Sequence, residues 1–212
     1  MTPLRMIFED AFEDEIIPKN PLKRIKNLPV KTREPEPFSQ TEIANILDQL
    51  SGQNHNLIKT AFWTGMRTSE LVGLRWEDID FTKKLIHIRN VIVRNTEKSP
   101  KTNSGNRSIE MNEYSLAALE AQFKERGKIK GYVFRDSTTL NTRLDDQKIR
   151  KKIWKPALIK AGIKYREPYQ TRHTFASMML MQKKTPFWVS RQMGHASPVQ
   201  TYKSYARWIE NE

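Results

Sequence analysis

Two arginines, two histidines and a tyrosine are the residues whose types could together act on a phosphate ester. Arg172 and His173 fall within Pro168-Tyr169-Gln170-Thr171-Arg172-His173-Thr174-Phe175, His195 follows Met193-Gly194, and Tyr205 comes ten residues later. Arg67, in Thr64-Gly65-Met66-Arg67-Thr68-Ser69-Glu70-Leu71, lies far upstream and joins them only through the fold. Non-bridging phosphate oxygens gain charge on the way to the transition state, so preorganised donors there lower the barrier. Guanidinium suits that task because it is always charged, planar and bidentate toward phosphate. A phenol can then serve as nucleophile without a metal, and a covalent intermediate splits one hard step into two. An isolated arginine ordinarily forms a surface salt bridge; it is the grouping that singles these two out.

The elements that must position them are legible along the chain. Leu4, Phe8, Phe12 and Ile16 recur every four residues and predict a helix over 4–16, broken by Ile17-Pro18-Lys19-Asn20-Pro21. Residues 18–36 read as a linker rich in proline and in basic residues that include Lys23, Arg24 and Lys26. Such a strap is either a solvated connector or a contact to a phosphate backbone. The main domain begins near Pro37. Ser39-Gln40-Thr41-Glu42 is a capping box opening a helix that Gly52 is expected to stop. A helix over Asn56–Thr64 ends at Gly65, and Thr68 or Ser69 caps the next. Arg67 therefore falls at a helix junction, where backbone amides favour an oxyanion.

Trp76–Phe81 reads as a turn, 84–88 and 91–93 as strands, 95–106 as a loop holding Lys98 and Lys101, and 107–111 as the returning strand. Helices are expected over 113–126, 146–162 with a bend at Pro156, 171–183, 185–193 and 198–209, and a short strand at Val133-Phe134. The fold class is mainly α with a small antiparallel sheet.

Composition agrees with an anionic partner. Lys and Arg total 37 against 24 Asp and Glu, giving +13 and a pI near 9.9, which favours nucleic acid over a membrane surface. The absence of cysteine excludes disulfides, thiolate chemistry and Cys-ligated zinc. No apolar run reaches the ~18 residues of a membrane span, so a cytoplasmic protein is expected.

The four boxes around Arg67, Arg172, His195 and Tyr205, in this order, resemble those of the tyrosine recombinases, the phage integrase family, over roughly residues 37–210. The resemblance implies that fold for residues 37–212 and a DNA-cleaving and rejoining enzyme acting through a 3′-phosphotyrosyl intermediate. It implies Tyr205 as nucleophile, Arg67 and Arg172 on the non-bridging oxygens, and His195 at the phosphate. Lys101 would protonate the departing 5′-oxygen, and Glu70 would brace Arg67. The partner would be double-stranded DNA at an attachment site, in a bacterium or phage, with no metal or cofactor. An isolated chain would be a monomer, and the full-length relative a tetramer on DNA. Residues 1–17 would be the last helix of an upstream DNA-binding domain, followed by the basic linker.

Three positions carry alternatives. The family's His-x-x-Arg box reads Tyr169-Gln170-Thr171-Arg172 here, so Tyr169 is expected in the site, with a packed tyrosine as the plainer role. His173 would point about 100° away from Arg172 around a helix. Tyr202 competes with Tyr205 but is expected to pack. Lys98 competes with Lys101, and Lys98 and Arg107 are further expected DNA contacts. An integrase-derived DNA-binding regulator without catalysis, or a strand relaxer of the type IB topoisomerase kind, are the rival functions.

Overall fold

The computed structural model describes residues 2–26, 34–93, 96–98, 105–126, 130–136 and 143–209. Two units, Met1–Arg33 and Glu34–Glu212, are described separately.

In the first unit, Pro3 opens helix α1, Pro3–Glu13. The helix stops short of the expected residue 16: the Ile16 N–H bonds the Ala11 carbonyl in a wider turn, and Ile16 is exposed. The following segment folds back on α1. Buried Asn20 donates to Glu9 Oε2 at 2.6 Å and accepts from the Leu22 amide, and Arg5 reaches the Ile25 carbonyl. Lys23, Arg24 and Lys26 are exposed.

In the second unit, α2 (Gln40–Asp48) starts at the expected capping box, with both of its bonds formed. It ends before Gly52. That glycine, at φ +51°, instead opens α3 (Gly52–Thr64), which is a turn longer than expected. Leu57, Ile58, Ala61 and Phe62 of α3 are buried, and α3 lies between α5 (Glu113–Arg126) and α8 (Gln170–Met181). Phe38 packs edge-on against Phe62 and Trp154, at centroid distances of 5.6 and 5.5 Å. Its amide donates to Thr174 on α8, which ties the start of the unit to the helix that carries Arg172.

The strands pair differently from the simplest reading. β1 (Ile79–Asp80) lies inside the expected turn. β2 (Leu85–Ile88) pairs with β1 and with β5 (Arg107–Glu110), all antiparallel. β3 (Val91–Val93) and β4 (Thr96–Lys98) form a separate hairpin. Pairing β2 with β5 sets Ile86 opposite Ile109, both fully buried, so the core chooses the register. Val133 and Phe134 form no strand. Gln122 and Gln53 hold this segment by side-chain bonds to Val133 O and the Arg135 amide.

The helix expected over 146–162 contains α6 (Asp146–Lys148), a π-type stretch over Ile149–Trp154, and α7 (Lys155–Lys160). Pro156 has no N–H to give and crowds the preceding turn, and a widened turn is one way a helix accommodates it. The C-terminal helices are α8, α9 (Pro186–Met193) and α10 (Pro198–Tyr205), with a 3₁₀ turn over Ala206–Trp208. No helix among the described residues is long and apolar enough to cross a membrane.

Gly65, between α3 and α4 (Thr68–Gly73), has φ +63°, and a Cβ there would lie 2.4 Å from Phe175 Cδ1. Gly65→Ala combines left-handed strain of roughly 1 kcal/mol with overpacking of about 1–3 kcal/mol. A loss of about 2–4 kcal/mol is expected in denaturant unfolding, and an unchanged midpoint would contradict this packing.

Candidate active site

Two helices end in left-handed glycines, Gly65 after α3 and Gly194 after α9 (φ +65°). Each turns terminal carbonyls, the negative end of a helix dipole, toward the same side chains. Arg172, in the first turn of α8, is 1% exposed and donates from Nη1 to Gly65 O at 2.6 Å and from Nη2 to Met193 O at 2.5 Å. Arg67 donates from Nη2 to Gly194 O at 3.1 Å. The two guanidiniums are thus bound to consecutive carbonyls at the end of α9. Arg172 Nε is buried and has no hydrogen-bond partner among the described residues. The Arg67 side chain remains 36% exposed.

Glu70 holds the cluster from beneath. Its carboxylate accepts from the Arg67 amide and Nη1, and from both Arg107 terminal nitrogens at 2.9 and 3.0 Å. Burial alone would raise its pKa. The Arg107 hydrogen bond and charge, the Arg172 charge and the Arg67 amide outweigh that, and Glu70 lies below the usual carboxylate value. One carboxylate faces three guanidiniums, so the cluster carries excess positive charge. Burial, and then the charge of Arg67, brings Arg172 down to about 10, which still leaves it protonated at neutral pH.

The excess charge shapes the imidazoles. His195 Nδ1 meets Thr201 Oγ1 at 2.8 Å, which leaves Nε2 as the nitrogen able to face a ligand. Burial first, then Arg172, Arg67 and Arg107, push its pKa down to about 3. His173 falls to about 4, from burial and then Arg172. Both are neutral at pH 7. Tyr205 is 1% exposed, and its hydroxyl is 2.6 Å from His173 Nδ1. Its ring lies parallel to His195 at 6.5 Å, and burial raises the phenol pKa.

The fold therefore brings together Arg67, Arg172, His195 and Tyr205. Tyr169 caps α8 at their edge, 46% exposed, with its ring edge-on to His173 at 5.1 Å. Lys101 lies outside the described residues, as does the side chain of Lys98 on β4. Arg107, expected at DNA, has a side chain only 7% exposed, and it bonds Glu70, Gln192 O and Gly105 O. Tyr202, expected to pack, is half exposed while Tyr205 is buried. The reason is local: Tyr205, at φ −132°, leaves the helix and so escapes its three-residue periodicity. Sequence spacing misses the His173–Tyr205 contact. A 100° rotation away from Arg172 turns His173 toward α10, so the site wraps around α8.

A histidine with a depressed native pKa binds fewer protons folded than unfolded. Its stabilising contribution is complete above the unfolded value near 6.5 and is lost as pH falls toward the native value. The unfolding midpoint should therefore decline below about pH 6.5, and less steeply in His173→Gln and His195→Gln. Equal pH dependence in all three proteins would contradict the burial of these neutral rings.

The chain is 30% identical over 227 residues to prophage integrase IntR of Escherichia coli (strain K12), covering 95% of this chain and 54% of the relative. It is 29% identical over 242 residues to the tyrosine recombinase XerC-like protein of Caldanaerobacter subterraneus subsp. tengcongensis, covering 99% and 61%. It thus spans about half the length of IntR. Among solved structures, the Tn1549 transposon integrase in complex with a circular intermediate DNA superposes with a TM-score of 0.80 at 24% identity, covering 95% of this chain and 72% of that one. The catalytic domain of bacteriophage HP1 integrase superposes at 0.58 with 18% identity, covering 83% and 89%. These likenesses establish the fold as that of an integrase catalytic domain, mostly helical with a small antiparallel sheet. The model of the phage integrase family matches residues 37–212, the stretch holding both arginines, both histidines and the tyrosine, and to this family the chain belongs.

Proposed function

We propose that the chain is the cleaving part of a site-specific DNA recombinase that breaks and rejoins strands through Tyr205. The observation that carries this reading is the binding of both Arg67 and Arg172 to the consecutive carbonyls of Met193 and Gly194, with Tyr205 bonded to the residue beside Arg172. A phosphate entering there meets donors aimed at its non-bridging oxygens, in a protein environment that strengthens them. Tyr205 Oη attacks phosphorus, the P–O5′ bond breaks, and a 3′-phosphotyrosyl bond forms. A 5′-hydroxyl then reverses the step, so ligation needs no ATP. His195 donates to the phosphate through Nε2. Lys101 protonates the departing 5′-oxygen, and Tyr169 sits at the rim of the phosphate. Glu70 and Arg107 keep Arg67 in place.

The partner is double-stranded DNA of a phage or other mobile element in a bacterial cytoplasm. Support comes from the net charge of +13 and from relatives named as integrases and recombinases. Residues 37–212 form the catalytic domain. The helix within residues 1–17 belongs to an upstream DNA-binding part, and residues 18–36 serve as a basic strap. A full-length protein works as a tetramer on DNA, and this chain alone as a monomer.

A nicked substrate that sheds its 5′ fragment tests the reading. The unaltered chain should trap a covalent complex, Tyr205→Phe should abolish it, and Tyr202→Phe should leave it. Arg172→Lys should slow trapping by about 10²-fold or more. Tight DNA binding with no trapping would leave a DNA-binding regulator instead. Deletion of residues 1–36 should flatten the salt dependence of DNA affinity, by about 0.9 in log–log slope for each phosphate no longer neutralised. An unchanged slope would make this segment a connector.

A further inference from the structure

Position 169, where the family carries a histidine, holds a phenol in this chain. The oxygen of a protonated phenol is a far weaker proton acceptor than a neutral imidazole nitrogen. Tyr169 is also half exposed at the cap of α8. The imidazole closest to the nucleophile is instead His173, one residue beyond Arg172. Its Nδ1 lies 2.6 Å from Tyr205 Oη, within the range a general base requires. The other imidazole has a different engagement: His195 lies parallel to the Tyr205 ring and its Nδ1 is taken by Thr201.

We propose that His173 is the general base of this chain and takes the phenolic proton as Tyr205 attacks the scissile phosphate. The role rests on the recombinase reading above. In the free protein His173 carries its proton on Nε2 and accepts the Tyr205 hydroxyl at Nδ1. In the forward step the Tyr205 O–H bond breaks and its proton passes to Nδ1. The O–P bond forms, the P–O5′ bond breaks, and a separate donor protonates the 5′-oxygen. In the reverse step the separate group takes the proton of the attacking 5′-hydroxyl, the P–O5′ bond re-forms, the Tyr205 O–P bond breaks, and His173 returns its proton to the phenolate.

The surroundings explain why the proton stays on the phenol until DNA arrives. The groups around His173 are Arg172 on its own helix, Tyr169 at the cap, and Tyr205 on α10, with His195 across the Tyr205 ring. Among the described residues, no carboxylate is bonded to His173. An imidazolium beside Arg172 would therefore be unfavourable, in keeping with the low pKa of the ring. An anionic phosphate between the arginines adds the missing negative charge, and the transfer becomes favourable where the reacting bond is in place. A structural bond alone would leave the chemistry of the step unchanged when the ring nitrogen is replaced by an amide.

The test is single-turnover trapping on the nicked substrate between pH 6 and 9, at saturating DNA, with gel shift and thermal melting as controls for binding and folding. His173→Gln can still hydrogen-bond but cannot take the proton. Its cleavage rate should fall by about 10²-fold and climb with pH as the phenol ionises unaided. Tyr202→Phe, at a half-exposed tyrosine with no part in the step, should stay within a few-fold of the unaltered chain. A substrate with sulfur at the bridging 5′ position needs no proton on its leaving group, so it should not rescue His173→Gln. A more acidic fluorotyrosine at position 205 should recover part of the loss, which also separates this role from misfolding. Cleavage by His173→Gln at the unaltered rate and pH profile, or full rescue by sulfur, would overturn the assignment while recombinase chemistry stands. Failure of the unaltered chain to trap any DNA would remove the recombinase reading, and this role with it.

Discussion

The buried guanidinium of Arg172 is the constraint on which the site depends. A charge taken fully out of water must have its donors met, or the fold loses several kcal/mol. Here two main-chain carbonyls meet its terminal nitrogens, one from the end of α3 and one from the end of α9, while Nε has no partner among the described residues. Both helices must stop at those residues, and both stop at glycines in the left-handed region. Gly65 has a second reason to be glycine, because the ring of Phe175, on the same helix as Arg172, fills the space of a Cβ. Three helices are thereby locked together by one side chain.

From that lock follows the electrostatic character of the rest. Arg67 reaches the next carbonyl along, and Glu70 ties Arg67 to Arg107. With one carboxylate among three guanidiniums, the cluster is short of negative charge. Its imidazoles are held neutral, and its phenol is buried and protonated. Neutral rings suit a place where an anion is to be received, because they can accept or donate one proton without first losing another. A cluster of unmatched positive charge with displaced pKa values is the kind of place where a functional site is sought.

Much of the fold was legible from the chain. The Ser39–Glu42 capping box opens α2, the periodicity over 113–126 matches α5 at both ends, and Gly65 ends α3. These are local signals, set by side chains a few residues apart. Gly52 shows where local signals divide, since a glycine serves a helix start as well as a stop. Strand pairing was not legible. β5 could return against β2 or β3, and the burial of Ile86 opposite Ile109 chose β2. Val133-Phe134 has the composition of a strand, yet it joins no ladder: Val133 N–H bonds the Leu74 carbonyl, Phe134 O accepts from the Leu144 amide, and Val133 O accepts from the Gln122 side chain.

By itself, the sequence determined the inventory: two arginines, two histidines and a late tyrosine in an order that identifies the family, on helices whose starts and stops are written locally. Tertiary structure decided which group meets which. Arg107 pointed to DNA by its charge and to Glu70 by its position. His173 pointed away from Arg172 along α8, and that direction is where α10 delivers Tyr205. Helical spacing fixes angles within one helix only. Contacts between helices depend on where each chain segment ends, and here a single buried charge drawing in two helix ends made that choice.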